Sequence, residues 1–89
     1  MPATLDLDQL RTFVAIAESG SFTRAADLVH KTQSAVSMQM RRLEERIGKP
    51  IFARDGRASR LTEDGERLLA YARRLMRRND EPFAAFAEG

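Results

Sequence analysis

The segment of residues 32–47 places its apolar side chains at the spacing of an α-helix. Val36, Met40 and Leu43 lie four and three residues apart, so they share one side of a period of about 3.6 residues. The opposite side opens with short hydroxyl side chains such as Ser34 and closes with arginine. A face that only needs to be solvated usually carries long charged residues along its whole length. The sequence therefore predicts an amphipathic helix whose polar side can approach a partner closely.

Basic residues are concentrated around this helix. Residues 21–60 contain nine Lys and Arg against four Asp and Glu, a net charge of +5. Residues 1–20 carry a net charge of −2, and residues 61–89 carry −1. Clustered positive charge indicates a polyanionic partner more strongly than the total charge of +2 does. Taken alone, the cluster is equally compatible with a solvated surface.

Caps and stop signals predict where the first helix begins and ends. Asp6 is a favourable N-cap, and Gln9 three residues later completes the pattern of a capping box. Apolar residues then follow at helical spacing, and Gly20 supplies a left-handed stop. We therefore expect the first helix over residues 7–19, where it serves as a scaffold for the next two helices.

Two further helices are predicted with a tight turn between them. Ser21 caps a short second helix over residues 22–29, in which two adjacent alanines allow another helix to cross closely. Thr32 caps the third helix over residues 33–47, and Gly48 ends it. A short helix, a turn and a second amphipathic helix form the pattern of a helix-turn-helix.

A hairpin is predicted after the third helix. Residues 51–54 and 58–61 flank Asp55 and Gly56, and Asp-Gly between two short runs is a strong hairpin signal. The arginines around this turn are Arg54, Arg57 and Arg60. A basic hairpin after a helix-turn-helix forms a wing, whose arginine can enter a minor groove of high negative potential. The alternative is a surface turn with solvated arginines.

The last part of the chain is predicted as one long helix capped by Thr62. Its apolar stripe consists of Leu68, Ala72, Leu75, Met76, Phe83 and Phe86. The stripe covers about five turns, more than a single small core can cover, so we expect it to form a dimer interface with a second copy. Pro82 either bends the helix near residues 79–81 or begins a new short turn.

Composition excludes several other classes of protein. The chain has 89 residues, enough for one small domain, and 43% of them are hydrophobic, as is usual for a globular protein. It has no cysteine, which excludes a disulfide framework and a thiolate metal site, and its single histidine, His30, cannot form a metal cluster. No signal-peptide h-region and no apolar run of about 20 residues appear in the sequence. We therefore expect a soluble protein that needs no metal or other cofactor.

The order of these motifs resembles the N-terminal DNA-binding domain of LysR-type bacterial transcriptional regulators, from about Leu7 to Leu75. The combination of motifs carries this resemblance, and no single motif does. The matching residues are Leu10, Phe13, Ser21-Phe22-Thr23, Ala25-Ala26, Gln33, Val36-Ser37, Arg42-Leu43-Glu44, Leu61-Thr62 and Gly65. Two positions depart from the family pattern, since Ser34 replaces a common proline and Met38 replaces a common arginine or lysine.

The resemblance implies a mainly α fold with two parts. Residues 1–61 would form a winged helix-turn-helix with a three-helix core and a two-stranded wing, and residues 62–89 a linker helix for dimerisation. The implied function is sequence-specific binding of double-stranded DNA by a dimeric transcription regulator in the bacterial cytoplasm. Two such dimers are expected to form a tetramer in the full-length protein, where a small-molecule effector would bind a C-terminal domain that this chain lacks.

Residue chemistry assigns roles on the expected DNA surface. Gln33 can pair with the N6 and N7 atoms of adenine, and Met38 can contact a thymine methyl group. The residues expected to contact bases are Gln33, Ser34, Ser37, Met38 and Arg57. The residues expected to contact the DNA backbone are Ser21, Thr23, Arg24, Thr32, Gln39, Arg41, Arg42, Arg54 and Arg60.

Two other classes of function are weighed against DNA binding. A winged helix can instead be a protein-interaction module, in which case Gln33, Ser37 and Arg57 would be replaceable without loss of function. An enzyme would need a nucleophile with its base, a phosphate-binding glycine loop or a metal cluster, and the sequence has none of these patterns. DNA binding predicts an affinity that falls as the salt concentration rises.

Overall fold

The computed structural model describes the backbone of residues 6–53, 56 and 59–88, and the side chains of these residues up to position 78 together with Phe86. The helices in this part of the chain are α1 (Leu7–Ser19), α2 (Phe22–Leu28), α3 (Gln33–Ile47) and α4 (Glu63–Glu88). The protein is therefore mainly helical, as the sequence predicts.

Local capping explains the start of each of the first three helices. The side chains of Asp6, Ser21 and Thr32 accept hydrogen bonds from the backbone nitrogens of the first turns of α1, α2 and α3. The predicted capping box at α1 is wrong. The Gln9 side chain is buried, and its Oε1 atom has no hydrogen-bond partner among the described residues, so it does not reach back to Asp6. The Gln9 side chain is therefore buried in the protein interior and does not cap the helix.

The ends of the helices follow from backbone conformation. Gly20 and Gly48 end α1 and α3 with φ angles of +73° and +78°, in the left-handed region that glycine adopts without steric cost. The second helix ends one residue earlier than predicted, at Leu28. The turn between α2 and α3 contains His30, whose φ angle is +58°. This residue is not glycine, yet it adopts the left-handed region of backbone conformation.

Helix α1 lies at the centre of the fold and contacts each of the other three helices. Its Leu10, Phe13 and Ile16 are completely buried, and they meet Val36 and Leu43 of α3 in one hydrophobic core. The paired alanines of α2 are also buried there, which allows α2 to approach its neighbours closely, as the sequence predicts.

An aromatic side chain of the hairpin packs into this core. Phe52 forms an antiparallel bridge with Leu61, and its ring lies 5.8 Å from that of Phe13 and 5.2 Å from that of Phe22, measured between centroids. Ala53 donates a backbone hydrogen bond to Arg60, which continues the pairing toward the turn. The base of the predicted wing is therefore present, while Arg54, Asp55, Arg57 and Ala58 lie outside the described residues.

Helix α4 begins where Thr62 bridges two segments. The Thr62 hydroxyl accepts a hydrogen bond from the backbone nitrogen of Gly65 at 3.0 Å and donates one to the carbonyl of Pro50 at 2.7 Å. The helix then continues to Glu88, so Pro82 does not end it.

The first part of α4 packs against α1 within the same protomer. Leu68, Ala72 and Met76 belong to the hydrophobic core and are buried, with Ala72 at 0% exposure. The prediction that these three side chains form a dimer interface is therefore wrong, because their own protomer already covers them. Leu75 and Phe86 of the same predicted stripe remain exposed, and the Phe83 side chain lies outside the described residues.

Candidate nucleic-acid interface

The N-terminal half of α3 presents most of the predicted base-contacting residues on one surface. Gln33, Ser34, Met38 and Arg41 are exposed, and Ser37 is half-buried beside them. All five line one shallow surface groove. Helical spacing puts Ser34, Ser37 and Arg41 on one side of α3, as the sequence predicts. The structure adds Gln33 to the same groove, and the site depends on this arrangement.

A second groove continues from α3 toward the hairpin. Gln33, Ser37 and Arg41 line it on the helix side, and Phe52 and Ala53 line it on the hairpin side. The base of the wing and the polar face of α3 therefore form one continuous surface. Along α3, this surface offers the hydrogen-bonding side chains of Gln33 and Ser37 and then the guanidinium group of Arg41.

Two cap hydroxyls lie at the N-terminal ends of α2 and α3. The Oγ atom of Ser21 accepts from the backbone nitrogen of Arg24, and the Oγ1 atom of Thr32 accepts from that of Ala35, both at 3.1 Å. A hydroxyl that accepts a hydrogen bond keeps its own hydrogen for donation. Ser21 and Thr32 can therefore donate to a phosphate oxygen while they cap their helices, and the partial positive charge of each helix end favours that anion.

The Thr23 hydroxyl, unlike those of Ser21 and Thr32, bonds to another side chain. Its Oγ1 donates to the side-chain Oε1 of Gln33 at 3.2 Å, so the first turn of α2 is joined to the first residue of α3. A hydroxyl has one hydrogen and a phosphate oxygen only accepts, so Thr23 cannot donate to DNA in this arrangement. The structure therefore does not support the predicted backbone contact of Thr23.

Met38 and Arg42 lie one helical turn apart and touch each other. The Arg42 Nη2 atom lies 3.6 Å from the Met38 sulfur and donates to it. The Met38 side chain is 52% exposed. An exposed thioether within a polar groove is consistent with an apolar contact to a partner in that groove.

Gln39 lies on the side of α3 that faces α1. Its Nε2 atom donates to Oδ2 of Asp8 at 2.7 Å, and its Oε1 atom is buried without a partner among the described residues. The predicted backbone contact of Gln39 is therefore wrong, because its amide is held by α1 and is directed away from the exposed face.

Asp8 also pairs with Lys31 in the turn of the helix-turn-helix, with 3.0 Å between Nζ and Oδ2. The hydrogen bonds from Lys31 and from Gln39 hold the pKa of the Asp8 carboxyl below its usual value. One carboxylate of α1 therefore positions both the turn before α3 and the second turn of α3.

Ion pairing distinguishes two arginines of α4 from two exposed arginines of the interface. Arg67 pairs with Asp64 within α4, and Arg73 pairs with Glu18 of α1. In the part of the chain that the structure describes, Arg24 and Arg41 are exposed and have no such carboxylate partner. These two side chains are available to neutralise phosphates, whereas Arg73 already has a counter-ion.

Two further residues hold the hairpin in place. The Glu44 carboxylate accepts hydrogen bonds from the backbone of the first hairpin strand, and the Ser59 hydroxyl donates to the carbonyl of Gly20 at 2.8 Å. Their side chains bond to backbone atoms that are distant in sequence, so no local pattern marks them. Arg60 is exposed near this point, while Arg54 and Arg57 lie outside the described residues.

The described residues show neither a metal-binding cluster nor a membrane-spanning helix. They contain no group of three or more His, Cys, Asp or Glu side chains that could hold a metal ion. None of the helices searched combines the length and the hydrophobicity needed to cross a lipid bilayer.

Comparison with known proteins places this surface in context. Residues 7–66 match the family described as bacterial regulatory helix-turn-helix protein, lysR family. The chain is 57% identical over 81 residues to the HTH-type transcriptional regulator PecT of Dickeya dadantii, which covers 91% of this chain and 26% of PecT. It is 51% identical over 81 residues to the regulator DgdR of Burkholderia cepacia, covering 91% of this chain and 28% of DgdR. The chain thus spans about a quarter of the length of the curated relatives it matches.

A solved structure with the same fold contains DNA. The DNA-binding domain of BenM, in its complex with catB site 1 DNA, superposes with a TM-score of 0.85 at 33% sequence identity. The superposition covers 94% of this chain and 93% of the BenM chain.

Proposed function

The chain belongs to the lysR family of bacterial regulatory helix-turn-helix proteins, and on this premise we propose that it binds double-stranded DNA sequence-specifically as part of a transcription regulator. The observation that carries the proposal is the shared groove of Gln33, Ser34, Ser37, Met38 and Arg41 on the exposed side of α3. Short hydrogen-bonding groups at the start of a helix, followed by arginine, suit a helix that enters the major groove by its N-terminal end.

The proposed interface separates base contacts from backbone contacts. Gln33, Ser34, Ser37 and Met38 read base edges, and Arg57 at the wing reads the minor groove. The residues proposed to contact the backbone are Ser21, Arg24, Thr32, Arg41, Arg42, Arg54 and Arg60. The DNA complex of BenM supports DNA binding by this fold, since that domain shares the fold over almost its whole length.

We also propose that α4 pairs with a second copy of the chain, through a face adjacent to the predicted one. Tyr71 is 61% exposed, Leu75 41% and Phe86 83%, and at helical spacing they form a stripe beside the residues that pack on α1. Arg74 lies over the Tyr71 ring, 5.6 Å from its centroid. A symmetric dimer would cover this stripe and place two α3 helices on successive major grooves.

Several features of the whole protein belong to the proposal as well. Residues 1–61 act as the DNA-binding part and residues 62–89 as the linker helix, although α4 also completes the core. The regulator works on DNA in the bacterial cytoplasm, has no enzymatic activity, and assembles as a tetramer of two dimers. A small-molecule effector binds a part of the protein outside these 89 residues.

Selection from random DNA tests the proposal directly. Duplexes that bind the 89-residue chain are enriched and sequenced, and fluorescence anisotropy then compares the enriched duplex with a scrambled one. We expect Gln33→Ala to lose discrimination at one base pair by roughly 1–3 kcal/mol. Gln39→Ala is the matched control, because it makes the same change on the side of α3 that faces α1.

Two results would contradict DNA recognition by α3. One is equal affinity of the wild-type chain for enriched and scrambled duplexes. The other is binding that does not weaken as the salt concentration rises, since phosphate contacts release counter-ions and make affinity depend on salt. If DNA binding were absent and Gln33→Ala left function unchanged, a protein-interaction role would replace the proposal.

A further inference from the structure

The hydrogen bond between Thr23 and Gln33 connects two helices at the point where DNA is proposed to bind. Thr23 lies in the first turn of α2 and Gln33 is the first residue of α3, ten positions later. Both side chains are exposed, so neither is fixed by burial in the core. The hydroxyl contact is therefore what distinguishes one orientation of the Gln33 amide from the others.

The polarity of this bond determines what Gln33 offers to a partner. The Gln33 Oε1 atom accepts from the Thr23 hydroxyl, which turns Oε1 toward α2 and leaves the Nε2 hydrogens as donors. Oε1 has a second lone pair, so it can still accept one hydrogen bond. An amide that donates with Nε2 and accepts with Oε1 matches N7 and N6 of adenine.

An amide without such a partner would be less selective. Rotation of the side-chain amide exchanges its donor and acceptor ends, and a long polar side chain loses rotamer freedom when it is held by DNA. A hydrogen bond already present in the free protein removes part of that cost before binding. The same bond becomes stronger when the DNA excludes water from it.

Building on the DNA-binding function proposed above, we propose that Thr23 is a positioning residue for specificity, which orients the Gln33 amide for one base pair and does not itself bind the DNA backbone. Base discrimination by Gln33 then depends on the contact between α2 and α3. The role requires the hydroxyl group of Thr23 and not its size.

Variants at position 23 separate this role from a phosphate contact. Thr23→Val keeps the shape of the side chain and removes the hydroxyl, whereas Thr23→Ser keeps the hydroxyl. The probes are the duplex enriched by the wild-type chain, its single-base-pair variants at the position that Gln33→Ala affects, and a scrambled duplex. Circular dichroism confirms that each variant is folded.

We expect Thr23→Val to lose roughly two- to tenfold of the discrimination at that base pair, which is the effect of one hydrogen bond. Its affinity for the scrambled duplex stays unchanged, and Thr23→Ser restores discrimination. Adding Thr23→Val to Gln33→Ala causes no further loss, because the amide on which Thr23 acts is gone.

Other outcomes would overturn the assignment. If Thr23→Val weakens binding to every duplex equally, Thr23 contacts the DNA backbone. If Thr23→Val discriminates as well as the wild type, the hydrogen bond does not contribute to specificity. A wild-type chain that does not discriminate at all shows instead that the proposed function is wrong, and this inference fails with it.

Discussion

The side chain of Glu44 in α3 accepts a hydrogen bond from the backbone nitrogen of Ile51, at 2.9 Å from its Oε2 atom. The same oxygen lies 3.3 Å from the backbone nitrogen of Phe52. Both nitrogens belong to the strand that begins the hairpin, and the contacts are partly buried. The helix that carries the proposed base contacts therefore also fixes the base of the wing.

Replacing Glu44 by alanine should destabilise the protein. The change leaves two partly buried N–H groups without an acceptor, and we expect the free energy of unfolding to fall by about 1–3 kcal/mol. Urea unfolding followed by circular dichroism measures this. Glu45→Ala removes the same charge from the adjacent exposed position, and it should change stability by less than about 0.5 kcal/mol. Equal losses in both variants would contradict the proposed role of Glu44.

Gly65 in the first turn of α4 should not tolerate alanine. A Cβ atom at this position would collide with the backbone carbonyl of Ile51, which cannot rotate away. Alanine favours helices over glycine by about 1 kcal/mol, but we expect overpacking of about 1–3 kcal/mol to exceed that gain, so Gly65→Ala lowers the melting temperature. The reverse change at an exposed site, Ala70→Gly, measures the propensity effect alone. A higher melting temperature for Gly65→Ala would show that the contact is easily relieved.

The helix boundaries could be predicted because they depend on local interactions. Thr32 and Ala35 are three residues apart in sequence, and the left-handed φ of Gly48 is a property of one residue. Such features depend on residues that are close together in the sequence. This is why α1 and α3 have the predicted limits, 7–19 and 33–47.

Two errors arose where distant contacts decide the outcome. The sequence predicts Gln39 on the DNA side, but its partner Asp8 lies 31 positions away, and no local pattern shows that contact. In α4, Ala72 and Leu75 both belong to one broad apolar band, and periodicity does not tell which part of the band its own protomer covers. The structure buries Ala72 in the hydrophobic core of its own protomer and leaves Leu75 41% exposed.

The contribution of Asp8 to stability should depend on pH. The pKa of its carboxyl is lowered in the folded protein by Lys31 and Gln39, so the stabilisation is present above its usual value of 3.8 and is lost as the pH falls through the lowered value. The carboxylate is 54% exposed, so we expect less than about 1 kcal/mol. Urea unfolding from neutral to acidic pH should show wild type above Asp8→Asn at pH 7 and the difference shrinking below pH 3.8.

Lys31→Met in the Asp8→Asn background provides the control for this effect. If the ion pair causes the difference, removal of Lys31 should add no further dependence on acidic pH once Asp8 is neutral. A stability difference between wild type and Asp8→Asn that stays constant through the acidic range would contradict the lowered pKa.

Arg41 should contribute to DNA affinity through charge and not through base recognition. We expect Arg41→Ala to weaken binding to enriched and scrambled duplexes alike, and to reduce the slope of log K against log salt by about 0.9 for each phosphate that is no longer neutralised. Fluorescence anisotropy over a series of salt concentrations measures both quantities. Arg73→Ala is the matched control, since Arg73 pairs with Glu18 and should leave the slope unchanged. Equal changes of slope in the two variants would mean that the effect is one of net charge alone.

The buried and exposed faces of α4 should respond differently when a carboxylate is introduced. Leu75→Asp places a carboxylate on the exposed stripe, so it should weaken the proposed dimer at least tenfold, an effect of about 1.4 kcal/mol or more, without unfolding the protomer. Ala72→Asp places the same group in a site of 0% exposure and should prevent folding. Ala70→Asp, on another side of α4, should change neither property. Sedimentation equilibrium and circular dichroism distinguish these outcomes, and a Leu75→Asp protein that dimerises like the wild type would exclude this stripe as the interface.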